Sequence, residues 1–142
     1  MSLIEISPGE KIVKEEVFTK ESISEFARMC GDMNPLHHDE EYAKETRFGR
    51  IVACGPHTAS LMMGLTASHY SRETAMLGLE FSFDFKKPVF EGETVKIEWE
   101  VKSSEHKESL GGDLVSLDGK ALKENGDEAV SGKGKVLVLA KL

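Results

Sequence analysis

The chain has little cysteine and little proline. It also lacks any apolar run approaching the ~18 residues of a membrane span, so no membrane-spanning segment is expected. Its two cysteines, Cys30 and Cys54, cannot make a disulfide framework. No secretory segment opens the sequence, so reduced thiols and a cytoplasmic location are expected. Positive charge is the scarcer sign: 18 Lys and Arg face 25 Asp and Glu, a formal net charge of −7. General binders of nucleic acid or of membrane surfaces need a basic face, so both partner classes are argued against. An anionic small ligand held by a few local bases stays open. Repeats, linkers and low-complexity tracts are absent too. What is present is globular: 39% hydrophobic and 30% charged over 142 residues. That is one domain, residues 1–142, with a single core.

Residues 11–18 alternate weakly and read as a first strand or extended arm. Thr19 can cap a helix with Glu21 in its first turn. Ile23, Phe26, Ala27 and Cys30 share one face of it, and Gly31 stops it. Asp39 can cap a short second helix over residues 40–46. A connector follows, and Pro56 suits the first position of a third helix. There Ala59, Leu61, Met62, Met63, Leu65 and Ala67 occupy nearly every side, which predicts a helix wrapped by other structure. From Met76 the period becomes two: Leu77, Leu79, Phe81, Phe83 and Phe85 alternate with smaller or polar residues. Further strands are expected around Val95, Ile97, Trp99 and Val101, then over residues 113–123 and 129–140. Asn125-Gly126 makes the last hairpin turn. Helices first and antiparallel strands after give an α+β class. The economical packing is a curved antiparallel sheet around a central apolar helix, with the earlier helices as a short overhang. Such a sheet has edges, and a second copy can cover one. A homodimer or higher homo-oligomer is expected.

Titratable residues crowd the loop between the first two helices. It holds Asp32, Asn34, Pro35 and His37 in Gly31-Asp32-Met33-Asn34-Pro35-Leu36-His37-His38-Asp39. Downstream stands Phe48-Gly49-Arg50-Ile51-Val52-Ala53-Cys54-Gly55, and later Lys87-Pro88-Val89-Phe90-Glu91-Gly92-Glu93. Together, in this order, they resemble the MaoC-like hydratases of the hotdog fold, which include the (R)-specific enoyl-CoA hydratases. The resemblance implies that Asp32 and His37 hold and activate a water. The water adds to a trans-2-enoyl thioester of CoA or acyl carrier protein, giving the (R)-3-hydroxyacyl thioester. It also implies that the backbone N–H of Gly55 binds the thioester oxygen. No metal or other cofactor is expected. Asn34, Cys54, Met62 and Met63 are the candidate substrate-binding residues. Many members have His before and Met after the equivalent of Gly55, where this chain has Cys54 and Pro56. Some carry a serine on the central helix, where Met63 stands here, with Ser60 nearby.

The chemistry is consistent with these residue types. Hydrating a conjugated thioester needs a group that takes a proton from water, one that returns a proton to the α-carbon, and a donor for the enolate oxygen. A neutral His and an ionised Asp on one loop can share a water. A helix N-terminus at Gly55 offers a free donor and a favourable dipole, and glycine lets a ligand approach closely.

Plainer readings stand beside these. Asp32 can simply order the Asn34-Pro35 turn. His37 can be a satisfied or surface histidine, and Gly55 a packing residue before Pro56. Asp39 reads as a helix cap and His38 as solvent-facing. Cys54, three residues before His57 at a helix start, is a conceivable nucleophile but reads first as a small buried residue. Met62-Met63 is core or acyl-pocket lining. Lys86 and Lys87 read as a solvated strand-end pair, with contact to ligand phosphates as the alternative. His37, Asp39 and His57 also mimic a two-His-one-carboxylate iron pattern, which is short and easily met by chance. Two other functions fit the same chain: a hotdog thioesterase, and a non-catalytic acyl-thioester-binding subunit.

Overall fold

The computed structural model describes residues 5–142; the first four residues of the expected domain lie outside the described residues. The order is β1 (Lys11–Val17), α1 (Lys20–Met29), a single 3-10 turn (Pro35–His37), α2 (Glu40–Lys44), α3 (Gly55–Tyr70), β2 (Ala75–Phe85), β3 (Thr94–Lys107), a second 3-10 turn (Glu108–Leu110), β4 (Gly112–Lys123) and β5 (Glu128–Leu139). The five strands form one antiparallel sheet in the order β1-β3-β4-β5-β2, which leaves β1 and β2 as edges. The α+β class and the expected helices and strands are all found, with ends shifted by a few residues.

The local signals work as their chemistry requires. Thr19 accepts from the Ser22 N–H and Ser22 accepts from the Thr19 N–H, a reciprocal cap at the head of α1. Asp39 accepts from the Tyr42 N–H at the head of α2. Asn125-Gly126 turns β4 into β5, with Gly126 at φ 92°, a geometry that glycine tolerates best.

The core lies between α3 and the inner face of the sheet. Trp99 is fully buried at its centre and donates its indole N–H to the Met62 carbonyl at 2.8 Å. Phe81 and Phe83 meet Trp99 edge-on, at ring separations of 6.0 and 6.5 Å. Room for these rings comes from glycines on neighbouring strands. A Cβ at Gly119 would stand 2.5 Å from the Trp99 ring, and one at Gly134 would stand 2.6 Å from Phe81.

Two expectations are corrected here. The β2 alternation does not hold along its length, because a bulge between Gly78 and Glu80 breaks the register against β5. One extra residue reverses which side chains face inward. Met76 and Gly78 pair with the buried Val138 and Val136, while Phe81 and Phe83 pair with Gly134 and Gly132. Leu77 and Leu79 therefore leave the inner face and are 41% and 51% exposed. Nor is α3 wrapped all round. Met62, Thr66 and Tyr70 are buried, but Ser60, Met63, Gly64 and Ala67 lie on an exposed stripe. A single five-stranded sheet covers one side of a helix and leaves the other open.

Candidate active site

The loop after α1 is built by short side-chain-to-backbone bonds. Gly31, at φ 78°, turns the chain out of the helix. Asp32 Oδ1 then accepts from the Asn34 N–H, and Asn34 Oδ1 accepts from the Leu36 N–H, both at 3.1 Å. These two successive turns deliver Pro35 to the start of the 3-10 turn that carries His37. Asn34, a candidate substrate residue, is exposed and acts here as the cap of that turn.

His37 is buried. Its Nδ1 lies 2.6 Å from the Val52 carbonyl, and its Nε2 lies 3.1 Å from Asp32 Oδ2. A carbonyl oxygen only accepts, so Nδ1 carries a proton and donates it to Val52, which turns Nε2 toward the carboxylate. Asp32 Oδ1 thus orders the turn, as its plainer reading has it, while Oδ2 faces the imidazole. The Val52 carbonyl is itself held, since Val52 N–H donates to Leu36 and Ala53 N–H donates to Val89. Sequence reasoning assigned no role to that carbonyl, because a backbone group leaves no residue-type signal.

His38 is not solvent-facing as expected. Its Nε2 lies 2.9 Å from the Asp32 carbonyl and its Nδ1 lies 2.7 Å from the Ser24 hydroxyl. The carbonyl fixes the proton on Nε2, leaving Nδ1 to accept from Ser24. His38 therefore ties the backbone of Asp32 to α1.

Gly55 heads α3, as expected, with Cys54 at the N-cap and Pro56 beside it. Among the described residues the Gly55 N–H has no hydrogen-bond partner. Proline has no N–H, so Gly55 supplies the forward donor of this helix end. The Phe85 ring lies against it, and a Cβ at position 55 would meet that ring at 3.0 Å. A cleft of about 300 Å³ opens here, with Ala53, Cys54, Gly55, Thr58 and Phe85 in its lining. Asp32 and His37 do not line it; the chain connects them through Val52.

The remaining candidates separate. Cys54 is buried, and burial pushes its thiol above the ordinary value; nearby Cys30 and Asp32 push the same way, against a backbone hydrogen bond from His57. A thiol held protonated is a poor nucleophile, so the bland reading of Cys54 fits. Cys30, expected on the buried stripe of α1, is exposed. Met62 is in the core under Trp99, while Met63 is 39% exposed on the open side of α3. The iron-like trio is dispersed: Asp39 caps α2, and His57 is sandwiched between Phe26 at 4.7 Å and Phe18 at 4.8 Å. Among the described residues no group of three His, Cys, Asp or Glu can hold a metal ion.

His57 carries a pH consequence. Burial lowers its pKa from the ordinary 6.5, and among the described residues its buried Nδ1 has no hydrogen-bond partner. Above pH 6.5 the folded and unfolded forms are both neutral, so nothing is lost. As pH falls through that value the unfolded chain takes up a proton that the folded chain resists. Stability then drops by up to about 1.4 kcal/mol per pH unit until the folded value is reached. The expected result is that His57→Phe, which keeps the ring stack, loses less melting temperature than wild type between about pH 7.5 and about pH 5.5. Equal losses would show that His57 contributes nothing to acid sensitivity.

Comparison with known proteins places this geometry. Residues 5–115 match the family described as MaoC like domain. The (R)-specific enoyl-CoA hydratase of Aeromonas caviae is 30% identical over 136 residues, spanning 96% of this chain and 98% of that one. A 3-hydroxybutyryl-CoA dehydratase of Methylorubrum extorquens is 31% identical over 120 residues, 79% of this chain and 75% of its own. The solved (R)-hydratase from A. caviae superposes with a TM-score of 0.83, covering 92% of this chain and 96% of that chain. R-hydratase PhaJ1 of Pseudomonas aeruginosa, 24% identical and covering 95% of this chain and 83% of its own, supports the fold at 0.86. With the curved sheet, the central helix and the overhanging loop all in place, the chain belongs to the MaoC-like family and has its hotdog fold.

Proposed function

We propose that this protein is a hydro-lyase that adds water to trans-2-enoyl thioesters, or removes it in the reverse direction. The observation that carries this reading is the convergence of His37 Nε2 and Asp32 Oδ2 at 3.1 Å, with His37 Nδ1 committed to the Val52 carbonyl. In the form that works as a base, with its one proton on Nδ1, the imidazole presents Nε2 beside the carboxylate as a second acceptor. Two acceptors cannot bond each other; a water that donates one hydrogen to each satisfies both. As the water oxygen bonds to the β-carbon, the pair takes one of its protons. The π-electrons move through the α-carbon onto the thioester oxygen, where the Gly55 N–H stabilises the developing enolate. The pair then returns that proton to the α-carbon, so the elements of water are added and the dyad is restored. The (R) product is taken over from the A. caviae relative.

The test is spectrophotometric. A short enoyl thioester should lose its conjugated ultraviolet absorbance when protein is added, and no free thiol should be released. Thiol release would favour a thioesterase, and tight binding without turnover would favour a binding subunit.

The assembly expected from the sequence gains support from the β2 edge. Leu77, Leu79 and Phe85 on β2 and Met63 on the open side of α3 are large apolar side chains left exposed in one chain. A second copy docked along β2 covers them and satisfies the unpaired strand edge. Sedimentation should give twice the 15.7 kDa of one chain, and Leu79→Lys should shift the protein toward that single-chain mass. A wild-type chain that sediments alone would overturn this assembly.

A further inference from the structure

We propose that Arg47, Lys86 and Lys87 form a phosphate-reading rim on the cleft beside Gly55. The inference rests on the hydro-lyase reading for its ligand, a thioester on a pantetheine arm, and adds what the far end of that arm meets. The cleft floor includes the buried Ala53 and Cys54. Its lining also contains Arg47, Lys86 and Lys87, all exposed, and no Asp or Glu. In a chain of net charge −7, three bases and no acid in the lining of one cleft is a local reversal of sign. The larger groove on the outer face of the sheet is the useful contrast. Its lining mixes Lys11, Lys102, Lys120 and Lys133 with Asp84, Glu98, Glu100, Asp118 and Glu128, and pairs such as Lys11–Glu98 at 3.0 Å neutralise it.

Neighbouring cations are already committed, which identifies the ones that are available. Arg50 lies over the Phe90 ring at 4.2 Å. Lys123 lies over the same ring, pairs with Glu93 at 3.1 Å and donates to the Pro88 carbonyl. Lys86 is partly neutralised by Glu128 at 3.6 Å. Arg47 rests on Phe48 at 5.1 Å, and among the described residues neither it nor Lys87 has a carboxylate partner. Arg47 and Lys87 should therefore contribute most. A guanidinium fork and an ammonium facing one opening suit a phosphate group. That phosphate can come from the diphosphate of CoA or from the phosphodiester that links pantetheine to a carrier protein.

The test is calorimetric binding of pantetheine, 4′-phosphopantetheine and CoA to the full chain. Exposed ion pairs are worth about two- to fivefold in affinity each. Wild type should bind both phosphorylated probes roughly tenfold more tightly than pantetheine, and the difference should shrink with added salt. Arg47→Ser/Lys87→Ser should abolish the difference, while Lys44→Ser on α2 should leave it intact. Phosphopantetheine binding as tightly as CoA assigns the rim to the shared arm; tighter binding of CoA assigns it to the nucleotide side. Either supports the proposal. Equal affinity of wild type for pantetheine and CoA, or a double variant that still discriminates, overturns it. Failure of the hydro-lyase reading looks different: phosphate discrimination would persist without turnover.

Discussion

Asp32→Asn is expected to lower kcat/KM for an enoyl thioester by about 10²–10⁴-fold. The substitution is chosen for what it spares. Its amide oxygen can still accept from the Asn34 N–H, as Oδ1 does at 3.1 Å, so the turn survives. Its amide nitrogen places a donor where Oδ2 offered an acceptor to the water, and the shared water site loses one of its two anchors. His37→Ala is expected to cost as much by removing the other. The double variant should be little worse than either single one, because two groups holding one water act as a unit. Melting temperatures must be followed in parallel: His37 is buried and bonded to Val52, so a fall in activity matched by unfolding would not count. Full activity in a folded Asp32→Asn or His37→Ala variant would remove the dyad from the mechanism.

The Asp32–His37 contact is legible because its geometry is local. Asp32 and His37 lie five residues apart in one loop, and glycine, asparagine and proline between or beside them fix the path. Asp39 as a cap and Gly55 at a helix start were legible for the same reason. Contacts made across the fold were not. His38 looked like a surface residue because nothing near it in sequence predicts that Ser24 and the Asp32 carbonyl will take both its nitrogens. Leu77 and Leu79 looked like core because period-two counting assumes an unbroken register, and the bulge after Gly78 is set by pairing with β5. The sequence of α3 is apolar on nearly every side, but composition alone does not say which sides the chain covers, and Ser60, Met63, Gly64 and Ala67 are left exposed. Arg47 carries no signal in the sequence because the cleft it shares with Lys87 is closed by segments distant in sequence.

Trp99→Ala should give the largest loss of stability of any single truncation in the core. Phe or Trp to Ala at buried sites costs about 3–5 kcal/mol, and Trp99 is the largest fully buried side chain described. Three other features raise the expectation. The ring fills the space that Gly119 leaves open, where a Cβ would lie 2.5 Å away, so no neighbouring side chain on that strand can move in. Phe81 and Phe83 lose their edge-on partner. The Met62 carbonyl loses its indole donor, a polar tie between β3 and α3. At fixed protein concentration the melting temperature should fall by about 10 °C or more. Trp99→Phe separates the causes: it keeps most of the apolar volume, removes the hydrogen bond, and should cost about 1–2 kcal/mol. Gly119→Ala approaches the same contact from the opposite side, and overpacking should cost about 1–3 kcal/mol. The two single substitutions should not add when combined, because Trp99→Ala empties the space that Gly119→Ala overfills. The double variant should therefore be more stable than the sum of the two losses predicts. Simple additivity would mean that the glycine and the indole do not share one space, and that the packing of α3 against the sheet depends on something else.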